Sequence, residues 1–374
     1  MPAAVAVLDG GLGTSLQDKY GVVFDASTPL WASHLLVSDR ATLLACQRDF
    51  ASAGIAVLLT ATYQVSVEGF ARTKTPDFPH GIPRAAIAPF LRTALDVASA
   101  AGSTRRTEIA LSLGPYGACM IPSQEYSGKY DAAHDSEEAL YHWHRDRLQL
   151  FVDADDQLAD RVQYIAFETL PRLDEVRAVR RAIHALRLTS TPFWISCVFP
   201  GEAGDDALPD GSSVEQVVTA AMAPMQDGAN PWGIGINCTK IVKLPGLVER
   251  LGCCMRKTVT TTSGQLPTTL VLYPDGTNGE VYNTTTQQWE KKKDQGDGAD
   301  AVGERKCSRN ARQCVLTLGD GRIRGKSNWL RWCVMPTHEA HFSPSSSAGV
   351  ARLRMRISGG CMGSLTVQKF NESV

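Results

Sequence analysis

Two cysteines far apart in the chain each stand where a β-strand would end. Cys238 follows Gly235-Ile236-Asn237, and Cys361 follows Ser358-Gly359-Gly360. Thiolates bind Zn²⁺ well, and the strand ends of a parallel barrel meet at one face, so two such cysteines could share one metal ion. A zinc site usually takes at least three protein ligands. The spacing therefore predicts a thiolate metal site with part of its ligand set still unassigned.

Further polar residues end other strand-like runs and are candidates for binding a substrate. They are Asp9, Gly10, Gly11, Thr62, Tyr63, Tyr116, Glu168 and Asn237. Taken singly, each has an ordinary explanation, such as a tight turn, a salt-bridge partner or the packing of a pocket wall. Polar groups at so many strand ends would be unusual as packing alone, so the set as a whole predicts an active site.

The elements that must position these residues alternate along the chain. Short apolar runs typical of buried parallel strands occur at 5–8, 55–60, 109–113, 164–167, 193–199, 232–236 and 269–273. Stretches of helical length and periodicity lie at 39–53, 84–101, 136–158, 172–187 and 212–227. Repeated βα units indicate a parallel sheet. With an eighth strand expected near 352–358, we predict an α/β fold, a (β/α)8 TIM barrel whose eighth βα unit is atypical or incomplete.

Residues 290–351 break this pattern. The stretch opens with the charged run Glu290-Lys291-Lys292-Lys293-Asp294 and then shows neither helical nor strand periodicity. Long segments without their own pattern are uncommon inside compact domains. We predict one barrel domain over 1–374, in which 290–351 is a disordered insertion or a gene-model artefact such as a retained intron.

Composition excludes several classes of partner. The formal net charge is -1 over 374 residues, so no overall basic field attracts nucleic acid or anionic lipid. No apolar run reaches the roughly 18 residues of a membrane helix, and the first residues lack the basic start of a signal peptide. Ten cysteines in such a chain are better explained as reduced thiols or metal ligands than as disulfides. We predict a cytoplasmic protein whose partners are small molecules, without nucleic acid or membrane.

Seven motifs stand in an order and spacing that point to a known family. They are LDGGLGT at 8–14, TATYQ at 60–64, GPYGA at 114–118, EYSGKY at 125–130, FETLP at 167–171, GINC at 235–238 and LYPDG at 272–276. Together they resemble the homocysteine S-methyltransferases, most of all the subgroup that uses S-methylmethionine or S-adenosylmethionine. The resemblance covers about residues 5–290 and returns at 358–361.

The resemblance implies a barrel with one zinc ion, held by a cysteine after the sixth strand and a Cys-Cys pair after the eighth. Carried onto this chain, the zinc ligands are Cys238 and Cys361. Met362 stands at the second place of the pair, and a thioether is a poor substitute for a thiolate at Zn²⁺. Another pair, Cys253-Cys254, lies between the sixth and seventh strands, where we expect the far end of the barrel.

The implied activity is zinc-dependent transfer of a methyl group from S-methylmethionine or S-adenosylmethionine to L-homocysteine, which gives methionine. The resemblance assigns the amino-acid end of homocysteine to Asp9 and Glu168, with backbone groups near Gly10 and Gly11. Asn237 would orient substrate or loop. No catalytic residue beyond the metal site is expected, because the leaving thioether is neutral and needs no acid.

The rings of Tyr63 and Tyr116 could face the cationic donor. Two alternatives to the sulfonium-dependent enzyme stay open. One is a related enzyme that takes its methyl group from betaine. The other is an inactive, metal-poor barrel that retains only ligand binding, which the methionine at position 362 favours.

Overall fold

The computed structural model describes residues 5–103, 107–202, 204–261 and 269–275, together with five short strands at 280–283, 288–291, 331–334, 351–353 and 365–367. Seven strands lie where the apolar runs predict them. They are β1 (Val5–Val7), β2 (Val57–Leu59), β3 (Glu108–Leu113), β4 (Tyr164–Leu170), β5 (Phe193–Cys197), β6 (Gly233–Lys240) and β7 (Thr269–Asp275). The later strands are β8 (Glu280–Asn283), β9 (Gln288–Lys291), β10 (Arg331–Val334), β11 (Ala351–Leu353) and β12 (Leu365–Val367).

Helices separate the strands of the sheet, as the periodic stretches predict. The α-helices are α1 (Leu12–Tyr20), α2 (Leu35–Ser38), α3 (Arg40–Ser52), α4 (Val67–Arg72), α5 (Ala88–Gly102), α6 (Glu137–Ala154), α7 (Leu158–Arg161), α8 (Leu173–Ala185), α9 (Val214–Met222) and α10 (Leu244–Thr261). Short 3₁₀ turns lie at Trp31–His34, Arg84–Ala86, Tyr116–Cys119, Leu188–Ser190 and Ile241–Lys243. Side chains cap several of these helices; Ser213 and Gln216 form a reciprocal capping box at α9. Among the described residues, no helix is both long and apolar enough to cross a lipid bilayer.

Eight strands form one sheet in the order β1-β10-β7-β6-β5-β4-β3-β2, and every pair in it is parallel. Its two outer members also meet: Leu8 bridges Val57 in parallel, and the Ala56 N–H donates to the Val7 carbonyl at 2.8 Å. The arrangement is consistent with a (β/α)8 barrel, in which strand ends gather polar side chains at one face.

The place of the eighth strand differs from the sequence prediction. β10, at Arg331–Val334, lies between β7 and β1, whereas β11 pairs antiparallel with β12 in a separate two-stranded sheet. The expectation of a barrel strand near 352–358 is therefore wrong where it falls on β11. Arginines at 352, 354 and 356 explain this, because a strand covered on both faces cannot bury a guanidinium at every second position. Most of 290–351 lies outside the described residues, so the insertion or artefact stays a prediction.

Alternate residues of the strands face two different apolar clusters. Ile165 and Phe167 of β4 belong to the large cluster shared with the helices, whereas Ala166 between them faces a smaller one. The smaller cluster contains residues of five strands together with Leu8, which follows β1: Leu8, Val57, Ala110, Ala166, Trp194, Val271 and Tyr273. In a (β/α)8 barrel, side chains that point inward from the strands pack in layers and fill the interior. The smaller cluster is consistent with such a packed interior beneath the strand ends.

Candidate active site

Two buried carboxyl groups, those of Asp9 and Glu168, lie close together. Asp9 follows the end of β1, and Glu168 lies in β4. Asp9 Oδ2 accepts the Leu59 N–H at 2.8 Å, and its Oδ1 is buried without a hydrogen-bond partner among the described residues. Glu168 accepts hydrogen bonds from the hydroxyls of Ser112 and Tyr273. Burial, and the charge of Glu168, raise the pKa of Asp9 well above its usual range. Burial also raises the pKa of Glu168 to about 7. An ammonium ion would relieve both penalties, so this pair is suited to the amino group of a ligand.

Thr62 is connected to this pair through Ser112. Its hydroxyl is fully buried, shares a 2.6 Å hydrogen bond with Thr60 and donates to the Ser112 carbonyl at 2.7 Å. The Ser112 N–H in turn donates to the Thr60 hydroxyl at 3.0 Å. The Thr62 hydroxyl is thus occupied by hydrogen bonds within the protein. It positions Ser112, whose hydroxyl donates a hydrogen bond to Glu168.

Cys238 lies near the end of β6, beside an amide clamp, which is the side-chain amide of Asn237 bonded to Thr169. Asn237 accepts the Thr169 N–H at 2.8 Å through Oδ1, and its Nδ2 donates to the Thr169 hydroxyl at 2.7 Å and to Cys238 Sγ at 3.3 Å. Both Thr169, with φ of 61°, and Cys238, with φ of 47°, adopt the left-handed region. Such conformations are costly for residues with side chains, above all for β-branched threonine, and concentrate at functional sites. The clamp holds the thiol in this strained position.

The surroundings of the Cys238 thiol are anionic and aromatic. Burial and the charges of Glu125 and Asp275 raise its pKa to about 12, although hydrogen bonds with Thr169 and Tyr126 act in the opposite direction. Tyr63 donates its hydroxyl to Glu125 Oε2 at 2.5 Å. The thiol is therefore protonated near neutral pH unless a cation lies against it.

Tyr116 lies apart from this group. Its hydroxyl donates to Asp131, and its ring stacks on His134 with centroids 4.1 Å apart and meets Trp143 edge to face at 5.2 Å. Its backbone N–H donates to Glu175 at 2.7 Å. The ring thus belongs to an aromatic cluster beside α6, whereas Tyr63 lies near enough to Cys238 for the charge of that thiol to affect its pKa.

Gly10 and Gly11 follow Asp9 and lead directly into α1, where Gly11 takes the N-cap position. A Cβ on Gly10 would lie 2.9 Å from the Phe50 ring, so the loop approaches α3 closely. The glycines therefore let the chain turn sharply beside the carboxylate pair.

Comparison with known proteins decides the family. The homocysteine S-methyltransferase family model matches residues 6–365, which is most of the chain. This chain belongs to the homocysteine S-methyltransferase family. It is 28% identical over 297 residues to homocysteine S-methyltransferase 1 of Arabidopsis thaliana, covering 76% of this chain and 79% of that protein. It is 30% identical over 299 residues to homocysteine S-methyltransferase 4 of Zea mays, covering 76% of each.

A solved structure supports the fold. The homocysteine methyltransferase MmuM from Escherichia coli, crystallised in a metallated form, matches with a TM-score of 0.57 at 24% identity, over 76% of this chain and 88% of that one. The prediction that the chain is an enzyme of the homocysteine S-methyltransferase family is confirmed, and the family transfers methyl groups to homocysteine.

The residues of this chain fit one part of a metal site. Cys238 offers a thiol among carboxylates that would stabilise a neighbouring cation. Cys361 lies outside the described residues, and Cys253 and Cys254 lie in α10. Among the described residues, no three His, Cys, Asp or Glu side chains are grouped so as to hold a metal ion. A site with three such ligands that included Cys238 would therefore need at least one residue from outside the described ranges.

The set of predicted site residues leaves out several residues that build the site. Ser112, Thr169 and Tyr273 all contact predicted site residues, and Glu125 and Tyr126 lie close to Cys238. Four of the five fall inside the seven family motifs, which was the available signal. Ser112 is the exception: it lies within a buried strand, where a serine carries no sign of its role.

Proposed function

We propose that this chain transfers a methyl group from a sulfonium donor, S-methylmethionine or S-adenosylmethionine, to the thiol of L-homocysteine, with Zn²⁺ bound by Cys238 and Cys361. The observation that carries the proposal is the buried Asp9–Glu168 pair, whose Asp9 Oδ1 has no partner among the described residues, close to Cys238, which contacts Thr169 beside Glu168. A ligand that brings an ammonium and a sulfur matches that combination.

Asp9 and Glu168 bind the homocysteine ammonium, and Ser112 holds the Glu168 carboxylate in place. Asn237 fixes the Cys238 thiol through the Thr169 clamp. When bound there, zinc lowers the pKa of a thiol ligand, so that a thiolate is present at neutral pH.

In the transfer, the homocysteine sulfur attacks the methyl carbon, and a new C–S bond forms. The old C–S bond breaks, and its electron pair returns to the donor sulfur, which leaves as a neutral thioether. No side chain has to supply a proton to the leaving group. The chain contributes by holding acceptor and donor in line and by keeping water out.

The test combines a methyl-transfer assay with metal analysis. We expect purified protein to form methionine from homocysteine and S-methylmethionine and to contain about one zinc ion per chain. Cys238→Ser should lose both, whereas Cys253→Ser in α10 is the matched control and should lose neither. Met362→Cys should raise the affinity for zinc, and with it the activity, if the methionine breaks a ligand pair.

Protein without zinc and without methionine formation would contradict the proposal and favour the inactive barrel. Formation of methionine with betaine alone would favour the betaine-dependent alternative. The single domain over 1–374, the atypical eighth βα unit and the cytoplasmic location remain predictions beside this proposal.

A further inference from the structure

Glu125 places a carboxyl group at the rim of the site, and burial raises its pKa because no cationic partner for it lies among the described residues. Its carboxylate accepts the Tyr63 hydroxyl at 2.5 Å and a hydrogen bond from Ser123. Within the described part of the chain, no lysine, arginine or histidine forms a salt bridge with it. Neutral hydroxyls alone compensate a half-buried carboxylate poorly, so this position favours an external cation.

The backbone holds Glu125 firmly in place. The Gln124 N–H donates to the Gly117 carbonyl at 2.9 Å. A Cβ on Gly117 would lie 2.8 Å from the Gln124 carbonyl carbon and 2.9 Å from the Glu125 nitrogen. Only glycine allows the two segments to lie so close, so the Glu125 loop is fixed against the end of β3.

Two tyrosine rings accompany the carboxylate. The Tyr63 ring is pressed against Gly114, where an added Cβ would lie 2.7 Å from it. Tyr126 is 42% exposed, and its hydroxyl hydrogen-bonds with the Cys238 thiol. Tyr63, Glu125 and Tyr126 therefore form a group beside Cys238, the proposed metal ligand. This group is separate from the buried Asp9–Glu168 pair, which we assign to the homocysteine ammonium.

We infer that Glu125, with the rings of Tyr63 and Tyr126, binds the positive charge of the methyl donor and so restricts the donor to cations, sulfonium or quaternary ammonium. A carboxylate with aromatic faces is a favourable environment for such a centre. The inference rests on the proposed function, because it concerns the donor of that reaction. The charge disappears when the methyl group leaves, so Glu125 holds the donor more tightly than the product thioether.

The experiment compares S-methylmethionine with its neutral carbon isostere, 2-amino-5-methylhexanoic acid, by isothermal titration calorimetry. Both probes share the amino-acid end, so their affinity ratio isolates the sulfonium charge. We expect wild-type protein to prefer S-methylmethionine by about tenfold and Glu125→Gln to lose most of that preference, with the isostere unchanged. Glu68→Gln, at an exposed position of α4, is the matched control and should keep it.

A second variant tests the rings. Tyr126→Phe should retain the preference and Tyr126→Leu should lose part of it, because the ring face is what attracts the cation. In kinetics, Glu125→Gln should raise the KM for the donor and leave the KM for homocysteine unchanged.

Equal binding of the two probes by wild-type protein, or an unchanged preference in Glu125→Gln, would overturn the inference. A rise in the homocysteine KM instead would overturn it too, since Glu125 would then bind the acceptor. If the wild type prefers the sulfonium yet forms no methionine, the inference stands and the proposed function fails.

Discussion

Replacing Glu168 by glutamine should stabilise the protein at neutral and alkaline pH. Burial raises the pKa of this carboxyl from 4.5 to about 7. Between those values the folded chain binds more protons than the unfolded chain, so the free energy of unfolding falls as the pH rises. At about 1.4 kcal/mol per pKa unit, ionised Glu168 costs the folded state roughly 3 kcal/mol above pH 7. The full stabilising contribution is present only below about pH 4.5.

Urea denaturation at pH 5, 6, 7 and 8 measures this effect. Glutamine keeps the shape and can still accept the Ser112 hydrogen bond, but it does not ionise. The free-energy difference between Glu168→Gln and wild type should therefore shift in favour of the variant by roughly 3 kcal/mol from acid to pH 8. Glu249→Gln, at an exposed position of α10, is the control.

A difference that stays constant over this pH range would refute the reasoning, because it would mean that Glu168 titrates alike in both states. The variant should also bind homocysteine more weakly, because the amide cannot neutralise an ammonium. Higher stability with weaker binding would identify Glu168 as a residue kept for function at the expense of stability.

Three further substitutions test the surrounding frame. Gly235→Ala should destabilise the fold by about 1–3 kcal/mol, because its Cβ would lie 2.3 Å from a backbone oxygen of β7; thermal unfolding measures this. Asn237→Ala leaves the buried Thr169 N–H without its acceptor and should cost about 1–3 kcal/mol in urea denaturation; an unchanged midpoint would refute the clamp. Arg147→Met removes hydrogen bonds to the backbone carbonyls that follow β2 and β3. Hydrogen exchange of the backbone amides at 60–66 and 113–118 should therefore become faster. Arg145→Met, on the exposed side of α6, is the control and should leave these exchange rates unchanged.

Much of the fold follows from local pattern. The seven apolar runs and the periodic stretches between them become the strands β1–β7 and the intervening helices, because a period of two or of 3.6 residues decides which side chains can be buried together. The same pattern identifies the strand ends, so Asp9, Glu168, Asn237 and Cys238 could be named from sequence. Each of them lies in or at the end of a predicted strand.

Tertiary structure decided what local pattern leaves open. Arg331–Val334 is the eighth member of the sheet because it finds neighbours in β7 and β1, and strand pairing between distant segments has no local signature. Tyr116 belongs to an aromatic cluster, whereas Tyr63 donates its hydroxyl to Glu125 near the thiol, although both residues follow strands. The sequence by itself determined that Asp9, Glu168, Asn237 and Cys238 stand at strand ends. Only the packed chain determined which way their side chains point, because orientation depends on partners supplied by other strands and loops.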